Sequence, residues 1–320
     1  MTNATDTVNG MSGQKRHSRL VLFFLRLIRE KPLGTVGASI VLVLLFCGIF
    51  ADVLAPYDYA EVNIMDKLNA PSVEHWFGTD QLGRDVLSRI ISGARVSLIV
   101  GLSVSALNLI VATLIGTISG FIGGKLDIVV QRFVDAWMSI PGLLLLMTVM
   151  SLVGRGMPQI ILVLGIATGI GGSRVARSAV IAIKENVYMT AARAIGVPVS
   201  RIMWRHVLPN IMAPLIIIFT TSIGGAILAE ASLSFLGFGL PPDIPSWGGM
   251  LSGEGRQFME LAPYLALWPG LALTIVVWGT NMFGDALRDL LDPRLRGGSG
   301  RYGAINQKKL QKMRRKLSAN

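Results

Sequence analysis

The chain has 320 residues, of which 52% are hydrophobic and only 15% are charged, whereas an ordinary soluble domain carries roughly a quarter charged residues. Its formal net charge is +11, but the basic residues cluster between apolar runs instead of covering a folded face with base-stacking aromatics, which argues against nucleic-acid binding. The single cysteine, Cys47, excludes an intramolecular disulfide and a cysteine-based metal site. The composition therefore predicts an integral membrane protein.

Six apolar stretches are long enough to cross a bilayer, because about 30 Å of hydrocarbon requires roughly 20 helical residues. The first stretch exceeds the apolar core of a cleaved signal peptide, and no A-x-A site follows it, so we interpret it as an uncleaved span. The sequence thus predicts an all-α membrane protein with six transmembrane helices. The stretches lie between Lys31 and Asp52, Arg95 and Lys125, Asp135 and Arg155, Arg155 and Arg174, His206 and Glu230, and Glu260 and Asp285.

The placement of Lys and Arg predicts the orientation of these spans. Most of these residues fall in the loops that a cytoplasmic amino terminus would leave inside, so both termini are expected in the cytoplasm. The expected division is a cytoplasmic segment at 1–31, a first transmembrane helix at 32–54, an extracytoplasmic segment at 55–95, a five-helix core at 96–292 with a cytoplasmic loop at 174–206, and a basic cytoplasmic tail at 293–320.

Small or polar residues recur every four positions along the second predicted span. Such a stripe predicts a helix face that another backbone approaches closely. The partner is either another subunit or another helix of this chain, and the sequence favours neither. The stripe consists of Asn108, Ala112, Gly116, Gly120 and Gly124.

No catalytic, cofactor-binding or metal-binding residues are predicted. The nearest approach to a phosphate-binding loop, at 119–126, lacks its first glycine and its closing Ser or Thr. The three histidines, His17, His75 and His206, share no metal-ligand spacing. Ion-coupled carriers keep ionisable residues along their pathway, whereas none is expected deep in these spans. The energy for any transport is therefore expected from other subunits.

The 174–206 loop is the longest predicted cytoplasmic connection between spans, and its sequence predicts two short helices. Asn186 is expected to cap the first, over 187–195, which Gly196 and Pro198 terminate. Ser200 is expected to cap the second, over 201–208, before Pro209 leads into the fifth span.

Residues of this loop resemble the EAA loop of ABC import permeases, a Glu-Ala-Ala, Gly and Leu-Pro pattern at the same spacing. Thr190 stands where that family usually has Glu, and His206 where it usually has Ile. The wider context, 188–193 and 205–210, is similar to the dipeptide, oligopeptide and nickel branch. In that family the loop docks into a groove on the cytoplasmic ATPase, which implies a coupling role for Tyr188, Thr190, Ala191, Ala192, Arg193, Gly196, His206, Leu208 and Pro209.

Small residues on an exposed helix bury little themselves but let a partner surface approach. We therefore expect Ala191, Ala192 and Gly196 to lie at an interface, mostly on the strength of the family resemblance.

Further residues between Phe77 and Arg294 resemble the same branch, closest to the second permease of each pair, the DppC and OppC type. They include 77–80, 83–85, 88–89, 234–237, 247–248, 284–285, 287–289 and 291–293. For two groups of these residues we favour a structural role over a functional one. Asp80, Arg84 and Asp85 are expected to form an exposed ion-pair cluster, and Asp285, Arg288 and Asp289 a solvated helix end with local pairing.

The resemblance implies a type I ABC importer permease fold in the plasma (inner) membrane of a prokaryote. It implies that the chain pairs with a homologous permease, two cytoplasmic ATPase subunits that bind ATP and magnesium, and an extracytoplasmic binding protein. Di- or oligopeptides are the expected substrates, and nickel or another small solute is the alternative. From other classes, an ion-coupled secondary carrier and a structural membrane scaffold are weaker readings. Besides membrane lipid no further partner, and in particular no nucleic acid, is expected.

Overall fold

The computed structural model describes residues 26–291, which form a bundle of helices without a β-strand in that range. Five helices are long and apolar enough to cross a membrane, and a bent pair makes a sixth crossing if it is counted as one span. The principal helices are α1 (Pro32–Ile49), α2 (Val86–Ile122), α3 (Gly124–Ser139), α4 (Gly142–Val153), α5 (Met157–Lys184), α6 (Val187–Ala194), α7 (Val199–Phe235) and α8 (Tyr264–Leu291).

The bundle has two ends. At one end, which we call the α6 end, α6 lies beside the last turn of α2, and Lys31 before α1 pairs with Asp289 near the end of α8 at 2.5 Å. The opposite end, which we call the Trp247 end, holds the segment between α1 and α2 and the connection between α7 and α8. That connection contains a short helix, Trp247–Met250, which continues into a π-helical turn, Leu251–Gly255. The prediction of purely local pairing around Asp289 is wrong, because its partner Lys31 precedes α1, at the other end of the sequence.

The stripe of small residues on α2 packs against α5 of the same chain. A methyl group placed on Gly116 would lie 2.5 Å from the carbonyl oxygen of Ser173, and one on Gly120 would lie 3.0 Å from that of Arg177. Glycines on α5 allow the same close approach from the other side, since a methyl group on Gly169 would lie 2.6 Å from Val111 Cβ. The two backbones therefore come as close as the missing side chains allow.

The other stripe positions divide between two helices. Asn108 and Ala112 face α5, where a methyl group on Gly172 would lie 3.1 Å from Asn108 Oδ1 and 3.3 Å from Ala112 Cβ. Gly124, however, lies outside α2, which ends at Ile122. Gly123 and Gly124 both take positive φ, +72° and +60°, and turn the chain into α3. Of the two partners left open by the sequence, a helix of this chain covers Gly116 and Gly120.

Helices extend past the charged residues that were expected to bound them. α2 begins at Val86 instead of after Arg95, and α7 continues past Glu230 to Phe235. Glu230 is buried and accepts a 2.7 Å hydrogen bond from Ser234 Oγ one turn later. Arg95 pairs with Asp52 at 2.7 Å, in the short helix after α1. Because these side chains find partners in the protein, their charge does not end a helix.

The third predicted span is broken into two helices. α3 and α4 meet at an angle of 90°. Ile140 is extended, as the residue before a proline prefers to be, and Pro141 then precedes the first turn of α4. α4 has 12 residues and a length of about 18 Å, shorter than the hydrocarbon core. The expectation of one continuous helix between Asp135 and Arg155 is therefore wrong.

Candidate functional site

The carboxyl end of α6 is closed by Gly196, as expected from its position. Gly196 has φ of +76°, a left-handed conformation that costs glycine little. Its N–H donates to Arg193 O at 3.0 Å, and the N–H of Val197 donates to Ala192 O at 3.1 Å. These two bonds satisfy carbonyl groups that a helix end otherwise leaves free. A methyl group on Gly196 would meet no atom within 4 Å, so the backbone and not the available space requires glycine here.

The amino end of α6 departs from its predicted cap. Asn186 occupies the capping position, but its side-chain amide donates back to Ala182 O at 3.3 Å and Ile183 O at 3.1 Å. The Asn186 side chain thus closes the end of α5 and does not cap α6.

One face of α6 is buried in this chain. Met189 and Ala192 belong to a core cluster that includes Ile202, Val207 and Phe121. The expectation that both Ala191 and Ala192 stay free for a partner is therefore wrong for Ala192, which this chain itself covers. Ala191 remains exposed. The residues spaced three apart, Met189 and Ala192, fix which side of α6 turns inward.

The opposite face and the turn that follows expose apolar side chains. Val187, in the first turn of α6, is 85% exposed, and Ile195, directly after α6, is 79% exposed. Trp204, farther along the chain in the first turns of α7, is 73% exposed. Tyr188 is also exposed, and its ring lies 6.3 Å from the ring of His206, measured between centroids. An exposed apolar group of this kind, presented on a short helix, is typical of a protein contact surface.

Two cations attach α6 and the end of α5 to the last turn of α2. The guanidinium of Arg193 lies 5.3 Å from the ring centroid of Phe121, and Lys184 Nζ lies 6.0 Å from it. Both distances fall within the range of a cation–π contact. A displacement of α6 is therefore expected to move the end of α2 with it.

The second helix of this loop differs from its prediction. It begins at Val199 after Pro198, so Ser200 is not its cap, and it forms the first part of the continuous helix α7. A π-helical turn, Met203–Val207, comes immediately before Leu208 and Pro209. Proline has no N–H and crowds the preceding turn, and a widened turn accommodates both effects. His206 and Leu208 are half-buried, while Thr190, Arg193 and Pro209 are exposed.

A second group of functional candidates lies at the Trp247 end, where charged residues are buried. Asp80 is 0% exposed and Arg84 is 8% exposed, so the expectation of an exposed ion-pair cluster is wrong. Arg84 Nε donates to Asp80 Oδ2 at 2.6 Å, and its Nη2 donates to Glu254 Oε1 at 2.6 Å. Arg89 lies 3.7 Å from both carboxylates. We call Asp80, Arg84, Arg89 and Glu254 the charge cluster.

Asp85 has a separate role beside this cluster. Its Oδ2 accepts hydrogen bonds from the N–H and the hydroxyl of Ser88 at 2.8 and 2.7 Å, which caps the first turn of α2. Its Oδ1 contacts His75 Nδ1 at 3.0 Å.

Sequence patterns do not indicate a role for Glu254, because it lies far along the chain from the residues it contacts and in no recognised motif. Only its position next to Trp247 and Gly248, which resemble the family, points to this region. Burial raises the pKa of the Glu254 carboxyl above its ordinary value, while the positive charge of Arg89 opposes that shift. The cluster connects the segment before α2 to the π-helical turn before α8.

Residues 112–297 match the family described as binding-protein-dependent transport system inner membrane component, and residues 19–71 match the N-terminal transmembrane domain of oligopeptide transport permease C. The chain belongs to this family, in the DppC and OppC branch, and has the type I ABC importer permease fold.

Named relatives cover most of the chain. The dipeptide transport system permease protein DppC of Alkalihalophilus pseudofirmus is 39% identical over 84% of this chain and 88% of its own length. The oligopeptide transport system permease protein OppC of Bacillus subtilis is 36% identical over the same shares, 84% and 88%. The glutathione transport system permease protein GsiD of Escherichia coli O157:H7 is 37% identical over 86% and 90%. This chain is thus a multi-pass membrane protein and an ABC importer permease.

Proposed function

We propose that this permease carries di- or oligopeptides. The support is chemical agreement among its relatives, since the dipeptide, oligopeptide and glutathione permeases are all named for peptides. The chain acts with a homologous permease to form the path and receives substrate from an extracytoplasmic binding protein. It performs no catalysis itself, because two partner ATPases bind ATP and magnesium and hydrolyse the nucleotide.

One observation carries the coupling role that we assign to α6. The helix buries Met189 and Ala192 against its own bundle, yet Val187 on the helix and Ile195 directly after it are exposed. A helix anchored on one face and apolar on the other is suited to fit a groove on a partner. We assign this surface to the cytoplasmic ATPase.

The same assignment orients the bundle. The α6 end carries Lys184, Arg193, Arg201 and Arg205 within one short stretch, as the cytoplasmic side of a membrane protein does. The Trp247 end then faces away from the cytoplasm. We assign the protein to the inner membrane of a prokaryote, as its family implies.

Reconstitution of the complete transporter tests the proposal. Vesicles that contain this chain, the permease, ATPases and binding protein encoded with it, and internal ATP should accumulate radiolabelled dialanine. Accumulation should persist when an ionophore collapses the proton and sodium gradients, and it should stop when ATP is replaced by a non-hydrolysable analogue. Uptake of nickel without uptake of dialanine or longer peptides would assign the chain to the other solute class. Gradient-dependent uptake without ATP would contradict the importer mechanism.

A further inference from the structure

A polar cavity of about 460 Å³ opens at the Trp247 end of the bundle. Its volume lies within the roughly 300–1,000 Å³ of small-molecule sites. Its wall is formed by the segment before α2, the first turn of α2, the loop between α4 and α5, the end of α7 and the connection between α7 and α8. Ionisable and amide side chains at the wall are Gln81, Arg84, Arg89, Arg155, Asp243 and Glu254.

Three buried polar atoms at this wall have no hydrogen-bond partner among the described residues. They are Gln81 Oε1, Arg89 Nε and Glu254 Oε2. Arg89 is 3% exposed and Glu254 7% exposed, so bulk water does not cover either side chain. A buried polar atom without a partner costs free energy, and such atoms mark positions where a ligand group is accommodated.

The two unpartnered acceptors belong to side chains that contact each other. Gln81 Nε2 donates to Glu254 Oε1 at 3.3 Å, which brings the two side chains into contact. Arg84 occupies the same oxygen, Oε1, so Oε2 is the free carboxylate oxygen. A carboxylate oxygen beside an amide oxygen suits a compact ammonium group, which donates up to three hydrogen bonds.

A positively charged side chain, that of Arg155, lies at the mouth of the same cavity. Arg155 is exposed, and no ion pair of its guanidinium is found within residues 26–291. Its planar fork matches a carboxylate with two parallel hydrogen bonds. Inside the cavity the charges of Arg84 and Arg89 are offset by those of Asp80 and Glu254. The exposed carboxylate of Asp243 lies at the same wall as Arg155, so the cavity as a whole carries no net charge. A balanced interior with a free acceptor pair and a free cation at the rim favours a dipolar ligand over a simple ion.

We propose that this cavity is an entry subsite for a short zwitterionic peptide. Its α-ammonium group donates to Glu254 Oε2 and Gln81 Oε1, and its carboxylate accepts from Arg155. The inference rests on the proposed function and specifies where in the permease the peptide is held after it leaves the binding protein. Because Glu254 recognises the ammonium group, a peptide with a blocked amino terminus is excluded.

Protection of an introduced thiol measures occupancy directly. Ser252→Cys, in a chain whose Cys47 is replaced by Ala, places a thiol at the cavity wall, and the assembled complex is tested without binding protein. Dialanine should slow the reaction of this thiol with a maleimide. N-acetyl-dialanine should not, and dialanine amide should protect more weakly.

Charge-removing variants then assign the two contacts. Glu254→Gln should raise the concentration of dialanine needed for protection by about tenfold or more, as loss of a charged hydrogen-bond partner does. Arg155→Gln, at an exposed position where folding is not at risk, should abolish the difference between dialanine and its amide. Glu185→Gln, an exposed glutamate at the α6 end, is the matched control and should leave protection unchanged.

The outcomes separate this inference from the proposed function. If vesicles take up dialanine but dialanine never protects the thiol, the subsite is overturned and the importer function stands. Equal protection by dialanine and its N-acetyl form also overturns the subsite. Protection by the binding protein alone would show that the cavity receives a protein side chain and overturn the peptide assignment. Absence of both uptake and protection removes the proposed function and the inference together.

Discussion

The guanidinium of Arg84 donates a 2.6 Å hydrogen bond to the carboxylate of Glu254, although the two residues are 170 positions apart in the sequence. Both side chains are at least 90% buried. The pair joins the segment that leads into α2 to the turn that leads into α8. Two distant stretches of chain are thereby held in one rigid unit at the Trp247 end.

Arg84→Met should destabilise the protein by about 3–5 kcal/mol, because it leaves Asp80 and Glu254 as buried carboxylates without their closest cation. Thermal unfolding of the purified complex in detergent measures the loss. Arg95→Met is the matched control, since its partner Asp52 is exposed, and it should shift the midpoint far less. Equal shifts for the two variants would show that the charge cluster contributes no more than a surface pair.

Gly196→Leu should abolish transport while leaving membrane insertion and abundance intact. Non-glycine residues in the left-handed conformation cost roughly 1 kcal/mol or more, so the end of α6 shifts instead of clashing. ATP hydrolysis by the assembled transporter, with and without loaded binding protein, reports the coupling. Gly196→Asn is the control, because Asn tolerates this conformation, and it should keep most of the stimulation. Wild-type transport by Gly196→Leu, under conditions where the complex is limiting, would show that α6 is not the coupling element.

Gly116→Leu should reduce the yield of folded permease more than Gly225→Leu. The Gly116 position faces the backbone of α5 at 2.5 Å, whereas a methyl group on Gly225 meets nothing within 4 Å. Overpacking typically costs about 1–3 kcal/mol, and contact with a backbone atom leaves little room to adjust. Detergent extraction followed by size-exclusion chromatography measures folded protein.

Gly120→Leu tests the same stripe at a wider gap, and it should fall between those two variants in folded yield. The sequence also allowed a subunit interface here. Normal folding of Gly120→Leu with loss of the co-purified second permease would place the stripe at that interface and contradict packing within the chain.

Single cysteines at Met157 and Asp243 should react with an impermeant thiol reagent added to intact cells, whereas one at Lys184 should not. The positive-inside bias demands this alternation. Each cysteine is introduced after replacement of Cys47, and permeabilised cells provide the accessibility control. Reaction at Lys184 from outside would reverse the proposed orientation. The corresponding prediction for a cytoplasmic Lys309 lies outside the described residues.

Local sequence signals predict much of this architecture. Apolar runs located the membrane helices, and Gly196 followed by Pro198 located the end of α6, because a span and a helix stop both depend on neighbouring residues. The helix boundaries are predicted less accurately, because a charged residue such as Glu230 ends the apolar stretch on which the prediction depends. In the folded chain it is hydrogen-bonded to Ser234 and buried.

Long-range contacts were beyond the sequence. No local pattern connects Arg84 to Glu254, and the ion-pair cluster therefore looked exposed. The burial of Ala192 is not predicted for the same reason, since the core cluster that includes it also contains Ile202, Val207 and Ile211, which follow the Gly196 turn. The break at Pro141 is visible as a proline in an apolar run, but the 90° angle between α3 and α4 is not. The position of α3 involves a long-range contact, the Asp127–Arg177 pair with α5.

α2 is a single helix of 37 residues, about 55 Å long, which exceeds the thickness of the hydrocarbon core. Its first turn is capped by Asp85 beside the charge cluster, and its last turn carries Phe121 beneath Arg193. A helix without a break transmits a tilt as a stiff rod does, so a small rotation at one end becomes a lateral displacement at the other. One unbroken stretch of backbone therefore joins the charge cluster at the Trp247 end to Phe121 at the α6 end, so a tilt of α2 moves both ends together.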